Sequence, residues 1–196
     1  MYYRFPLLLV FFDAICAHAF FQKVAIKKDP LLSDLDTLIL DSRSGLDRTR
    51  NDEVKALMIK ISESRRGDQR ESLKGQWELI YTTEKEINFF KTSWPFAKAT
   101  SITQNLDLYE SGTVENFIDF EGGGQFAVSG KVVSVDGDSE YDRVSFEFTS
   151  AVASGWGKKL ALPPTGAGWF DTMYCDQEYR LSTDVRGDWS IFRRIS

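Results

Sequence analysis

The spacing of the apolar residues changes at Gly75, and that change limits what the chain can fold into. Before it, Leu31, Leu32, Leu35, Leu38 and Ile39 recur at helical spacing, as do Val54, Leu57, Met58 and Ile61. After it the pattern alternates. Trp77, Leu79 and Tyr81 share one face of a strand, with Glu78 and Ile80 on the other. Val114, Asn116, Ile118 and Phe120 share a face opposite Thr113, Glu115 and Asp119. The alternation returns at Phe126, Val128, Gly130 and Val132, and again at Val144, Phe146 and Phe148. It ends with Trp189, Ile191 and Arg193 against Ser190, Phe192 and Arg194. Gly122-Gly123-Gly124 and Asp136-Gly137-Asp138 supply turns. Short strands joined by turns, with no helices between them, argue against a βαβ fold and predict an antiparallel barrel, strongly curved sheet or sandwich. Ser154–Gly168, with four glycines and Pro163-Pro164, reads as a long loop at one mouth.

The segment 29–67 reads as two helices. Asp29 caps the first, with Pro30 at its first position, and Ser44-Gly45 ends it. Thr49 and Asp52 have capping-box spacing for the second, and Arg65-Arg66-Gly67 suits its end. Helices this short and amphipathic need a surface to cover, and the sheet of 75–196 provides one.

Residues 1–19 read as a signal peptide. Arg4 precedes the apolar run Phe5–Phe12, and Ala17-His18-Ala19 has the small-residue pattern of a cleavage site. Residues 20–28, with Phe20-Phe21, Lys23, Lys27 and Lys28, form a short targeting or linker piece. Cleavage after Ala19 removes Cys16 and His18. Cys175 is then left without a disulfide partner, a zinc-binding set or an activating imidazole.

A length of 196 residues, 42% hydrophobic and 27% charged, suits one domain with a real core. Fifteen Phe, seven Tyr and five Trp can fill an all-β core or line an apolar cavity. The net charge of −5 argues against a nucleic-acid partner. The basic pairs Lys27–Lys28, Arg65–Arg66, Lys158–Lys159 and Arg193–Arg194 read as solvated faces. No phosphate- or dinucleotide-binding loop is present. Asp171, Tyr174, Asp176 and Arg180 form the densest polar cluster. It is read first as structural, with Asp176 tying a turn and Arg180 paired to an acid across the sheet; acid–base work is the alternative. Gln104 and Asn116 must be hydrogen-bonded, to backbone or to a ligand. No catalytic or metal-ligating residue is assigned.

Two motifs carry a resemblance. Gly75-Gln76-Trp77-Glu78-Leu79-Ile80-Tyr81-Thr82-Thr83 resembles the opening motif of the plastid lipid-associated proteins, or plastid fibrillins. Gly168-Trp169-Phe170-Asp171-Thr172-Met173-Tyr174-Cys175-Asp176, followed by Arg180, resembles their C-terminal signature. Gln104, Val114, Asn116 and Arg194 stand where the family has them, and the likeness runs from Leu31 to Ile195. The leader resembles the bipartite targeting sequences of algae with complex plastids, such as diatoms. The resemblance implies a lipocalin-like barrel in the plastid, at thylakoids or plastoglobules. It would bind or organise carotenoids, prenylquinones or acyl lipids without catalysis. It also implies that Trp77 and Arg194 close the barrel base, and that Gly75, Asp171, Tyr174, Asp176 and Arg180 are structural signature residues. Thr183 and Asp184 depart from the family's basic and glycine positions, so that turn is expected to be rebuilt. The wall residues expected to touch a ligand are Trp77, Leu79, Tyr81 and Asn116, with Ile118, Phe120, Phe146 and Phe148. Two rival readings remain. One is a scaffold on a thylakoid membrane or photosynthetic complex, with a solid interior and an exposed aromatic patch at Phe89-Phe90 through Trp94-Pro95-Phe96. The other is an enzyme acting on a lipid or pigment through Asp171, Tyr174 and Asp176. The size of the cavity separates the first from a carrier.

Overall fold

The computed structural model describes residues 29–64, 69–136, 141–155, 157–164 and 166–195. The expected signal peptide, the piece 20–28, the helix end at Arg65-Arg66-Gly67 and the turn at Gly137-Asp138 lie outside the described residues. The strands are β1 (Gly75–Thr82), β2 (Ala99–Asp107), β3 (Thr113–Phe120), β4 (Gln125–Asp136) and β5 (Asp142–Gly155). They continue with β6 (Lys158–Leu162), β7 (Ala167–Cys175), β8 (Tyr179–Asp184) and β9 (Trp189–Arg194). Eight of them, all but β6, pair in one antiparallel ring. The β1–β9 pairing, with Trp77 opposite Arg194, closes it. Closure leaves no open edge in the ring, so every alternating strand has an inner and an outer face.

The expected loop at Ser154–Gly168 is instead a hairpin. β5 runs on to Gly155, and β6 returns along it with Ala151 opposite Leu162. Gly157, at φ +74°, makes that reversal possible.

Among the described residues, four α-helices flank the ring: α1 (Pro30–Asp41), α2 (Asn51–Ser62), α3 (Arg70–Leu73) and α4 (Lys85–Thr92). Asp29 caps α1 as its sequence suggests, accepting from the Leu31 amide at 2.8 Å. The second cap differs from expectation. Thr49 gives both its amide and its hydroxyl to Asp47, inside a 3-10 turn at Arg48–Arg50, and α2 starts at Asn51 without a side-chain cap. Between the two helices Gly45 sits at φ +91°, where a Cβ would lie 2.1 Å from the Thr82 carbonyl oxygen. Only glycine lets this link press against β1.

α1 and α2 bury Leu32, Leu35, Ile39, Val54, Met58 and Ile61 on the outer face of β1, β7, β8 and β9. Their partners there are Tyr81, Met173, Tyr179, Leu181 and Ile191. Tyr81 had been expected on the inner wall with Trp77 and Leu79. A bulge at Ile80 slips the β1–β9 register, so Leu79 faces Phe192 but Tyr81 faces Ile191. One extra residue turns the next side chain to the other face. The Tyr81 ring therefore lies under the helices, its hydroxyl 2.9 Å from Asn51 Oδ1. Polar ties hold α1 in place as well: Tyr179 donates to Asp36 at 2.8 Å and Arg193 donates to it at 3.0 Å.

Candidate functional site

The barrel interior divides into a filled half and a hollow half. In the filled half, Leu73 from α3 packs with Trp77, Leu106, Val114, Val144 and Cys175. Trp77 donates its indole N–H to the Leu73 carbonyl at 2.9 Å, which pins α3 across this end. The contact expected between Trp77 and Arg194 is present, with the guanidinium 4.1 Å from the ring centre. Arg194 also donates to the carbonyls of Lys74 (2.8 Å), Gln177 (3.1 Å), Asp176 (3.3 Å) and Ser72. One fork thus ties α3, β9 and the β7–β8 turn together.

The hollow half holds a cavity of about 450 Å³. Leu79, Ile102, Ile118, Phe126, Phe146 and Phe148 wall it, and Phe170 and Phe192 close its lower side. Gly168 keeps the β7 wall open to the Phe146 ring, whose Cζ would lie 3.0 Å from an added Cβ. At the mouth α4 brings Ile87 and Phe90 over the opening. That helix is fixed by Asn88, which donates to the carbonyls of Thr82 (3.1 Å) and Gly45 (3.4 Å). It is fixed again by Arg186, which joins Glu84, Glu86 (3.2 Å), Asp184 (3.6 Å) and Asp188 (3.8 Å). Burial pushes the Glu84 carboxyl upward, opposed by its bond to Arg186. A larger hollow, about 600 Å³, lies outside the barrel between α1 and the β1–β2 surface. Its lining is mixed, with Asp36, Arg43, Glu78, Lys91 and Arg193 beside Ile39, Leu40, Leu46 and Ile80, so an apolar chain there would lie against five charged side chains.

Between the two halves sits Arg180, 1% exposed, on the inner face of β8. Its Nη2 donates to Gln104 Oε1, and Gln104 Nε2 donates to Asn116 Oδ1 at 2.7 Å. Its guanidinium lies 4.0 Å from the ring centre of Phe192, 5.2 Å from that of Phe170 and 5.3 Å from that of Trp77. Burial pulls its pKa down to about 9, which leaves it a cation at neutral pH. Among the described residues, its Nε and Nη1 have no hydrogen-bond partner, and neither do the hydroxyls of Thr172 and Ser182.

The expected pairing of Arg180 with Asp171 or Asp176 does not form. Phe170 faces inward, so Asp171 faces outward, where Arg143 takes it with two bonds of 2.7 and 2.8 Å. Arg143 itself stacks 3.8 Å from the Trp169 ring centre. Asp176 ties its turn, as its position suggested. It accepts from the amides of Glu178 (2.7 Å) and Tyr179 (2.6 Å) and from the Tyr174 hydroxyl (2.8 Å). Burial and the Asp176 carboxylate together raise the Tyr174 pKa well above its ordinary value. None of these three residues lines the cavity.

Of the eight proposed wall residues, the cavity gathers Leu79, Asn116, Ile118, Phe146 and Phe148. Trp77 faces inward but lies below the floor, in the filled half. Phe120 stands near the rim, its ring centre 5.9 Å from that of Phe90. Tyr81 is outside the barrel. The sequence reading missed Ile87 and Phe90, which α4 delivers, and did not assign Phe170 or Phe192 to the wall. The alternation Ser190–Phe192–Arg194 was visible, and the facing of Arg194 onto Trp77 is the signal that marks it as the inner face.

Comparisons with known proteins bear on this architecture. The PAP_fibrillin family profile matches residues 31–193, which include α1, α2 and nearly all of the barrel. An Arabidopsis thaliana protein, "Probable plastid-lipid-associated protein 11, chloroplastic", is 36% identical over 175 residues, covering 88% of this chain and 70% of that protein. No solved structure matches the chain.

Proposed function

Because the chain belongs to the PAP_fibrillin family, we propose that it is a plastid protein that holds one apolar lipid chain in its half-open barrel without transforming it. The observation that carries this reading is the cavity of about 450 Å³, apolar on most sides, in a barrel sealed at its other end. That volume falls within the range of small-molecule sites and speaks against a solid interior. Burying roughly 300 Å² of chain at ~25 cal/mol per Å² gives about 7.5 kcal/mol before ordering costs. That figure corresponds to binding no tighter than the low micromolar range, and ordering costs weaken it from there. An acyl chain or a prenyl chain, as in a prenylquinone, suits this space. An extended carotenoid would have to protrude through the mouth.

Phe89 (44% exposed) and Phe96 (75% exposed) lie in an aromatic cluster with Phe90 and Trp94, on the helix that covers the mouth and just beyond it. This cluster is the proposed contact with a thylakoid or plastoglobule surface, from which the chain would enter. It is also the feature that favours a scaffold role on such a membrane, and one surface can serve both.

The test is uptake of lipid from vesicles made of plastid lipids, by the full chain and by Val128→Trp, which puts a large ring into the cavity. The native protein should come away with a reproducible, near-stoichiometric lipid, and Val128→Trp should fold but carry little. Native protein that carries none, or a folded Val128→Trp that carries as much, overturns the reading.

A further inference from the structure

We propose that the lipid held in the barrel is a single-chain anion that enters head first, its acid group seated at Arg180 and its chain in the aromatic cavity. This rests on the lipid-holding reading above and adds the class and orientation of the ligand.

The inference starts from charge. A cation removed from water is stable when an anion or a full set of acceptors surrounds it. Arg180 has one acceptor, Gln104 Oε1, and the orientation of that amide is fixed because its nitrogen donates to Asn116. No described carboxylate bonds to Arg180; Asp171 and Asp176 are committed elsewhere. Asp184 shares the inner face of β8 but is held at the rim, accepting from the amides of Arg186 (2.9 Å) and Asp188 (3.0 Å). Cation–π contacts with Phe192, Phe170 and Trp77 offset part of the cost and leave the N–H groups unmet.

The second observation is that the unmet groups are neighbours. Ser182 is the next inward residue after Arg180 on β8, and Thr172 stands opposite Ser182 on β7. Two guanidinium donors and two hydroxyls therefore lie on adjacent strands; Ser182 lines the apolar cavity, and Arg180 packs behind the Phe170 and Phe192 rings that line it. A carboxylate or phosphate accepts from all four kinds of donor, and its bonds to Arg180 are charge-assisted. From Arg180 to the rim at Asp184 is four residues of strand, roughly 13 Å. A single chain running upward from the head would fill that distance and emerge under Ile87 and Phe90. A neutral chain of the same length leaves the cation as it stands.

The experiment uses the delipidated full chain and two matched pairs: oleic acid with oleyl alcohol, and geranylgeranyl phosphate with geranylgeraniol. Native protein should bind at least one acid about tenfold more tightly than its alcohol, and the pair showing the larger ratio identifies the head as carboxylate or phosphate. Arg180→Met, which retains most of the side chain's length, should bring the ratio close to one. Ser182→Ala should lower it by about threefold in a barrel less at risk of misfolding. Equal binding of acids and alcohols by native protein overturns the head-first anion and leaves the lipid-holding reading standing. No binding of any of the four overturns both. A preference for acids that persists in folded Arg180→Met and in Ser182→Ala places the head elsewhere and refutes the proposal.

Discussion

Replacing Arg194 by Met should loosen the sealed end of the barrel by an amount that its contacts allow to be worked out. Arg194 makes four bonds to carbonyl oxygens, those to Ser72 and Asp176 in partly buried surroundings and those to Lys74 and Gln177 exposed. The exposed carbonyls recover water when the guanidinium is lost, so little is charged to them. The two sheltered bonds account for about 1 kcal/mol each. The contact with Trp77 at 4.1 Å adds about another 1 kcal/mol, because one ring face is then left without its cation. Arg194→Met should therefore cost about 3 kcal/mol. With a urea dependence of ~2 kcal/mol per M, the midpoint should fall by roughly 1.5 M. Arg194→Lys keeps one donor group and the charge but not the fork, and should fall about half as far. Urea unfolding followed by tryptophan fluorescence and by far-ultraviolet circular dichroism measures both. A midpoint within about 0.3 M of native for Arg194→Met would show that strand pairing alone seals this end. A Lys variant as stable as native would show that the fork geometry is not used, and equal losses for Met and Lys would show that the retained charge contributes nothing.

Two further outcomes follow from side chains placed on unexpected or sheltered faces. Tyr81→Phe removes the bond to Asn51 and should cost about 1 kcal/mol in urea unfolding. It should leave lipid uptake unchanged, because the ring is outside the barrel; a loss of uptake would put Tyr81 back on the inner wall. Burial pushes the Cys175 thiol up to about 11, so it should resist alkylation at pH 8 in native protein and react when urea unfolds the chain. The sign of the accompanying pH dependence is fixed: the unfolded thiol ionises first. Stability from this group is thus complete below about pH 9 and declines as pH rises toward 11, by roughly 2 to 3 kcal/mol in total. A flat urea midpoint from pH 8 to 10.5 in native protein, matching that of Cys175→Ala, would refute it.

Much of the barrel was legible in the sequence because alternation survives wherever one face is buried. The Trp77–Arg194 contact was legible for the same reason, since each lies on a strand with a clear phase. Tyr81 was misplaced because a bulge changes the phase without changing the pattern: Trp77, Leu79 and Tyr81 alternate perfectly, and only the partner register shows that Ile80 is extra. α4 was hidden for a different reason. Eight residues hold two turns of helix, too few for a period to declare itself, and Phe89-Phe90 read as an exposed patch. The Arg180 partner was misjudged because side chains close in sequence on β7 and β8 can stand on opposite sides of the wall. Asp171 lies outward and Arg180 inward, and nothing local distinguishes a pair that can meet from one that cannot.

Arg180 and Arg194 make the division of the interior chemically explicit. Both approach the same indole, at 5.3 and 4.1 Å from its centre, and both stand on inner faces of adjoining strands. Arg194 reaches the end of the barrel, where the chain turns and carbonyl groups are spare, and backbone oxygens satisfy it. Arg180 is one step further inside, within the ladder, where its acceptor is the Gln104 side-chain oxygen. Closing an end explains the first arginine completely. It does not explain the second, because a methionine or leucine would fill that layer without stranding a charge. A barrel that needed only to be solid there would gain stability from such a replacement. The proposed anionic head group would supply the acceptors that this buried cation lacks, which the end-closing role does not.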